Sequence, residues 1–140
     1  MRICIDSCVF IHGLGGGDPS AARLLDLISP DFTLVVPRLV VQEVTRNLTT
    51  PAQIRRFYQL FHTRPFAFVV DELVPRPLVD RYVALGLPEK ADAFIGAFAE
   101  WMQVRYLLSD NRHFLRELKT QAFNVIDAAE FIARWEEDKL

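Results

Sequence analysis

Four acidic side chains stand where simple solvation does not explain them. Asp6 follows the apolar run Ile3-Cys4-Ile5, and Asp110 closes Leu107-Leu108-Ser109. An Asp between a strand and a helix is usually an N-cap, and Asp71 and Asp127 occupy the same kind of position. What sets Asp6 and Asp110 apart is the company of two acids on apolar helix faces. On a wheel of ~100° per residue over 38–48, Glu43 falls between Leu39 and Val40, and Asn47 falls beside Val40 and Val44. Both are expected to point inward, with Gln42, Thr45 and Arg46 on the exposed face. Over 89–103, Asp92 lies beside Ala99 at the margin of a stripe of Ala91, Ile95, Phe98 and Met102, while Glu89, Lys90 and Glu100 take the wet side. A carboxylate near a helix N-terminus complements the helix dipole by ~0.3–1 kcal/mol, the plain explanation for Asp92; Glu43 lacks it.

An ionised carboxylate held away from water costs several kcal/mol unless it is paired, and like charges add mutual repulsion. A cluster of four therefore needs a cation to gather it. Oxygen donors alone suit a hard divalent ion such as Mg²⁺ or Mn²⁺, which keeps several waters. Zinc is disfavoured, because Cys4, Cys8, His12, His62 and His113 lack finger-like spacing. The two cysteines are expected to pack in the core.

The elements that must position these acids alternate along the chain. Short apolar runs predict strands at Arg2–Asp6, Phe32–Val36, Phe66–Val70, Tyr106–Leu108 and Phe123–Ile126. Helical spacing covers Ser20–Ile28, Arg38–Leu48, Pro51–Phe61, Pro77–Leu85, Glu89–Gln103 and Asn111–Leu118, and Asp127 caps a last helix through Trp135. Gly-Leu-Gly-Gly-Gly at 13–17 reads as a flexible loop. Strands alternating with helices predict an α/β fold, a three-layer α/β/α sandwich around a mainly parallel sheet of about five strands. Ligands in such sheets bind outside the carboxyl ends of the strands, where Asp6 and Asp110 fall.

The whole chain reads as a single domain. Its 140 residues carry 16 Lys plus Arg against 18 Asp plus Glu, a net charge of −2, and the pI is about 5.9. Bulk positive charge of the kind that grips nucleic-acid backbones is excluded, so any phosphate chemistry must be locally arranged, with a metal reversing the charge of the acids. With 51% apolar residues and 11 Phe the chain has ample core material and is not disordered. No run approaches the ~18 apolar residues of a membrane helix, and Asp6 interrupts the apolar start, unlike a signal peptide. A cytoplasmic location is expected.

Four segments carry a resemblance: Ile3-Cys-Ile-Asp6-Ser7-Cys-Val-Phe-Ile, the Val-Val-Gln-Glu43-Val helix, Asp92-Ala-Phe-Ile-Gly-Ala-Phe-Ala and Leu-Leu-Ser-Asp110-Asn-Arg-His-Phe. In this order and spacing the sequence resembles the PIN-domain nucleases and, within them, the small VapC-like toxins of toxin–antitoxin pairs. The resemblance implies that Asp6, Glu43, Asp92 and Asp110 form a metal-binding and catalytic quartet, supported by Ser7. It also implies that Ser109 stands where Thr is common, and that Mg²⁺ or Mn²⁺ drives hydrolysis of RNA phosphodiester bonds. On this reading Asp6, Asp92 and Asp110 hold the main ion, and Glu43 orients water or a second ion. Asn47 is a candidate for binding a water or a phosphate oxygen. Arg112 and Arg46 are the candidate RNA contacts among the basic residues, with Arg55, Arg56 and His113 nearby in the motifs. A cognate antitoxin and a homodimer are implied partners; Leu, Phe and Val in the helices at 51–61 and 77–85 are candidates either for such an interface or for the core. The glycine run departs from the family pattern and is expected to loosen the substrate entrance. Two phosphatase-like readings fail: Cys8 stands where a dehalogenase-type second acid is needed, and no Lys follows Ile126-Asp127 as a receiver domain requires. The remaining alternative is a PIN-like fold kept as a non-catalytic RNA- or protein-binding module, which loss of quartet acids would mark; none is lost.

Overall fold

The computed structural model describes residues 1–138 and 140. Five strands, β1 (Arg2–Ile5), β2 (Thr33–Pro37), β3 (Ala67–Val70), β4 (Tyr106–Leu108) and β5 (Asn124–Ile126), form one sheet in the order β3-β2-β1-β4-β5. Every neighbouring pair is parallel. Ile3 registers with Leu34 on one side and Tyr106 on the other, which makes β1 the centre of the sheet. Both of its faces are covered, so Ile3, Cys4 and Ile5 are fully buried and the strand is apolar without alternation.

The chain leaves β1 in one direction and returns in the other. Helices α1 (Ser7–Gly15) and α2 (Pro19–Asp26) lead to β2, and α3 (Arg38–Asn47) and α4 (Pro51–His62) lead to β3. Then α5 (Arg76–Ala84) and α6 (Lys90–Trp101) carry the chain back across the sheet to β4. Because parallel crossovers are right-handed, reversing direction puts α5 and α6 on the opposite face from α1 to α4, giving three layers. The packing follows: α1 meets α2, α3 and α4, α5 meets α6, and the last helix α7 (Ala128–Glu136) returns to lie on α2. Phe10, Phe57 and Phe61 interlock on one side, while Phe32 meets Phe131 and Trp135 edge-on. Tyr82 stacks on Phe123 across the sheet's far end. Among the described residues no helix is long and apolar enough to cross a membrane.

The strands lie within a residue or so of their expected places, and the sheet is wholly parallel. The first helix departs from expectation. The segment read as a glycine loop is helical through Gly15, with Gly16 in the left-handed conformation at φ 83° donating its N–H to His12 O. Asp6 starts this helix by accepting from Ser7 N at 2.8 Å, and Val9, Phe10, Gly13 and Leu14 form its buried stripe. Gly13 is required by proximity, since a Cβ there would lie 3.0 Å from the backbone of Ala21 on α2. The expected helix at 111–118 is a single π-turn over His113–Glu117, closed by Leu118 N donating to His113 O and anchored by buried Phe114. On α6, Ala91 is exposed, whereas residues 93 and 95–99 are buried. Glu100, expected on the wet side, is half-buried and accepts from Tyr82 Oη and Arg81.

Candidate active site

The reversal of strand order falls between β1 and β4, and the carboxyl ends of those two strands open onto a cavity of about 330 Å³. Asp6, Glu43, Asp92 and Asp110 all line it, brought from the end of β1, from α3, from the first turn of α6 and from the end of β4. Ser7, Cys8, His12 and Asn111 complete the wall, and among the described residues no Lys or Arg contributes to it. The four acids that the sequence singles out are thus brought together.

Asp6 is the deepest, 4% exposed. Its Oδ1 accepts from Ser7 N, and its Oδ2 accepts from Ser109 Oγ at 2.8 Å and from the Cys8 thiol at 3.6 Å. The backbone N–H of Asp6 itself donates to Leu108 O at 2.9 Å, tying the β1 end to β4. Ser109 is fully buried, and its hydroxyl also accepts from Asn111 N at 3.0 Å. Ser7 Oγ donates to Glu43 Oε2 at 2.7 Å, so the α3 acid is oriented from the start of α1. Asn111 Nδ2 donates to Asp92 Oδ2 at 3.3 Å. On the other side of the cavity, Asp110 Oδ2 pairs with His12 Nδ1 at 3.2 Å, and Asp110 N donates to Cys8 Sγ.

Burial pushes the Asp6 carboxyl above its ordinary value; the hydrogen bonds from Ser109 and Ser7 oppose this, and the charges of Asp92 and Glu43 add to it. Asp92 is raised as well, chiefly by burial, with Asn111 and His113 pulling it down and Glu43 and Glu89 pushing it up. The Cys8 thiol is pushed up to about 12 by burial and by the neighbouring charges of Asp6 and Asp110. It stays protonated at neutral pH and is no nucleophile.

Among the described residues no three His, Cys, Asp or Glu side chains are drawn tightly enough to grip an ion directly. The carboxylates turn instead to neutral donors: Asp6 to Ser109, Glu43 to Ser7 and Asp92 to Asn111. The donor set still fits a hard cation that retains its waters, because four carboxylates line a cavity with room for them and, among the described residues, no Lys or Arg takes their place in its wall.

Two sequence-based placements change, those of Asn47 and Cys8. Asn47 is exposed and points away from the cavity: its Nδ2 bends back to Glu43 O at 2.7 Å, satisfying the backbone of its own helix. Arg46 is exposed, as its helix face predicts, with Nε donating to Gln42 O, and Arg112 is exposed at the start of the π-turn; both lie outside the cavity wall. Cys8, expected in the core, is half-buried in the cavity wall. Sequence reasoning missed His12 and Asn111. Cys8 and His12 are four residues apart and share one face once α1 is recognised as a helix.

A parallel α/β sheet with acids gathered where β1 and β4 end defines a domain built for an acidic site at its topological switch. The chain belongs to the PIN domain family, whose family model matches residues 3–119. Its fold is shared with VapBC2 from Rickettsia felis, solved bound to a DNA fragment from their promoter (TM-score 0.62, 14% identity, 91% of this chain and 98% of that chain). A toxin–antitoxin complex from Klebsiella pneumoniae is similar to the same degree (TM-score 0.61, 18% identity, 90% and 97%). Comparison of the sequence with curated proteins gives no significant match.

Proposed function

We propose that the protein is a divalent-metal-dependent endoribonuclease acting as the toxin of a toxin–antitoxin pair. The observation that carries this reading is the convergence of Asp6, Glu43, Asp92 and Asp110 on one cavity whose wall, among the described residues, has no Lys or Arg to neutralise them. Family membership and the toxin–antitoxin assemblies that share the fold support it. Asp6, Asp92 and Asp110 would hold Mg²⁺ or Mn²⁺, directly or through water, with Glu43 beside them. The ion, when bound, supplies a more acidic water and offsets charge on the phosphate. Ser109 and Ser7 hold the Asp6 and Glu43 carboxylates in place, and the buried Asp6–Ser109 pair forms the floor of the site. Neither Cys8 nor a basic side chain of the wall acts as nucleophile. A cognate antitoxin, an RNA substrate, a homodimer and a cytoplasmic location belong to the same proposal. Exposed Tyr58 on α4 and Val83 on α5 lie on the helices considered for the interface.

The test is cleavage of a pool of single-stranded and structured RNA by the purified protein, with Mg²⁺, with Mn²⁺ and with chelator, beside Asp6→Asn. Metal-dependent cutting that the variant loses is the expected result. Full activity in Asp6→Asn, or in chelator, overturns the proposal. The second reading, a non-catalytic binding module, is favoured by the absence, among the described residues, of a tightly drawn metal cluster. RNA or partner binding with no cutting under any condition would select it.

A further inference from the structure

The glycine run at the end of α1 borders a second cavity, of about 260 Å³, which meets the acidic one at His12. Gly15 and Gly17 stand on one side of it, and Asn47, Leu48 and Gln53, where α3 gives way to α4, stand on the other. The glycines keep that side open, since a Cβ at either would meet no atom within 4 Å. Ile11 and buried Leu48 supply apolar surface. Two amides supply polar groups, and their backbone partners fix which way each is turned. Gln53 Oε1 accepts from Thr49 N at 3.0 Å and from Thr50 N at 3.3 Å. Only the oxygen of an amide can accept from a backbone N–H, so Nε2 is the end left over, and among the described residues it has no partner. Asn47 is the converse case: Nδ2 donates to Glu43 O at 2.7 Å, and Oδ1 is the end left over.

The second cavity thus combines apolar surface with an open N–H pair and an open carbonyl oxygen. A nucleobase asks for that combination, because it has an apolar face and an edge that carries donors and acceptors together. We propose that this cavity receives the unpaired nucleobase next to the phosphate at the acids, with Gln53 Nε2 and Asn47 Oδ1 meeting its edge, and so selects where the strand is cut. The proposal deepens the nuclease reading above and rests on it. His12, at the junction of the two cavities, marks the passage from phosphate to base. The glycines leave the entrance wide enough for a flat ring, and a base already paired in a duplex has no free edge to offer.

Two variants test this. Gln53→Glu keeps an oxygen for Thr49 N and Thr50 N, and Glu serves a capping box as well as Gln does, so its melting temperature should match wild type. It removes the open N–H pair. RNA of random sequence is cut in Mn²⁺ and the bases flanking each cut are counted, so that any uniform effect of the added charge cancels. Wild type should favour one base at one position beside the cut, and Gln53→Glu should change that preference ~5–150-fold, the range for one well-placed pair of bonds to a base edge. Gly15→Leu fills the cavity from a position where a side chain meets nothing; it should raise KM and flatten the same preference. Mn²⁺ affinity, read by calorimetry, should be no lower than wild type in either variant. If wild type cuts with no preference beside the cut, or Gln53→Glu leaves the preference as it was, the cavity does not read a base while the nuclease reading stands. If Mn²⁺ affinity falls together with the preference, the variants act through the acids and the proposal is wrong. If wild type cuts no RNA, the nuclease reading falls and this one falls with it.

Discussion

Replacing Asp6 by Asn isolates what a buried charge does to the metal-free protein. Burial holds the Asp6 carboxyl above its ordinary value of 3.8, and repulsion from Asp92 and Glu43 acts in the same direction. A carboxyl raised in this way binds its proton more tightly in the folded chain than in the unfolded one. Its contribution to stability is therefore fully present below pH 3.8 and is lost as the pH climbs through the raised folded value. Asn carries no charge at any pH. It keeps an acceptor for Ser7 N–H and presents an amide where Oδ2 accepts from Ser109. Losing charge assistance in these two bonds costs about 2 kcal/mol, and removing the effective desolvation penalty of a buried ion returns several. The balance favours the variant by about 1–2 kcal/mol at neutral pH, or ~3–8 °C in Tm for a chain of this size. The assay is thermal melting in chelator between about pH 4.5 and 8, where the gap between variant and wild type should widen toward neutral pH. A variant that melts below wild type at neutral pH, or a gap that ignores pH, would refute the view that the acids repel one another in the metal-free site.

Gly86→Ala should be among the most damaging substitutions in the fold. Gly86 sits at φ 121°, and a Cβ there would lie 2.3 Å from Glu117 O at the end of the π-turn. Left-handed strain and forced displacement of backbone together cost about 2–5 kcal/mol, so urea unfolding should show a clearly lowered midpoint, and an unshifted midpoint would contradict the close approach. Cys8, with its thiol pushed up to about 12, should resist iodoacetamide in the native protein at mildly alkaline pH and react once the chain is denatured. Rapid labelling of the native thiol would mean that the cavity wall is more open than the structure has it.

Strand ends and amphipathic helix faces made the acids legible. Asp6 and Asp110 follow buried apolar runs, and Glu43 falls between Leu39 and Val40 on the helical wheel, a pattern visible without any structure. The sheet was legible for the same reason: β1 and β4 are apolar because both faces are covered. Helix α1 was not, because the glycines at 13–17 read as a break, while Gly13 is there to let α2 approach and only Gly16 adopts a glycine-favouring angle. Missing α1 hid His12, whose place in the site follows only from its helical offset to Cys8. Asn47 failed differently: a wheel gives the direction of the Cα–Cβ bond, whereas a short amide bends back to its own helix carbonyl. Asn111 carries no periodic signal, since its partners Ser109, His113 and Asp92 are joined by a turn and a distant helix.

The central place of β1 also sets a timetable. Asp6 is made first, yet the hydroxyl that holds its Oδ2 belongs to Ser109, 103 positions later in the sequence. Until β4 has been synthesised and inserted beside β1, the nascent chain has β1 to β3 and no partner for the free edge of its first strand. Pairing across that distance requires a long loop to close, so the acidic cavity is completed only by one of the last strand pairings to become possible. A ribosome-bound fragment ending before residue 106 has the Asp6, Glu43 and Asp92 acids but no finished site, and the acidic cavity is complete only once β4 lies beside β1.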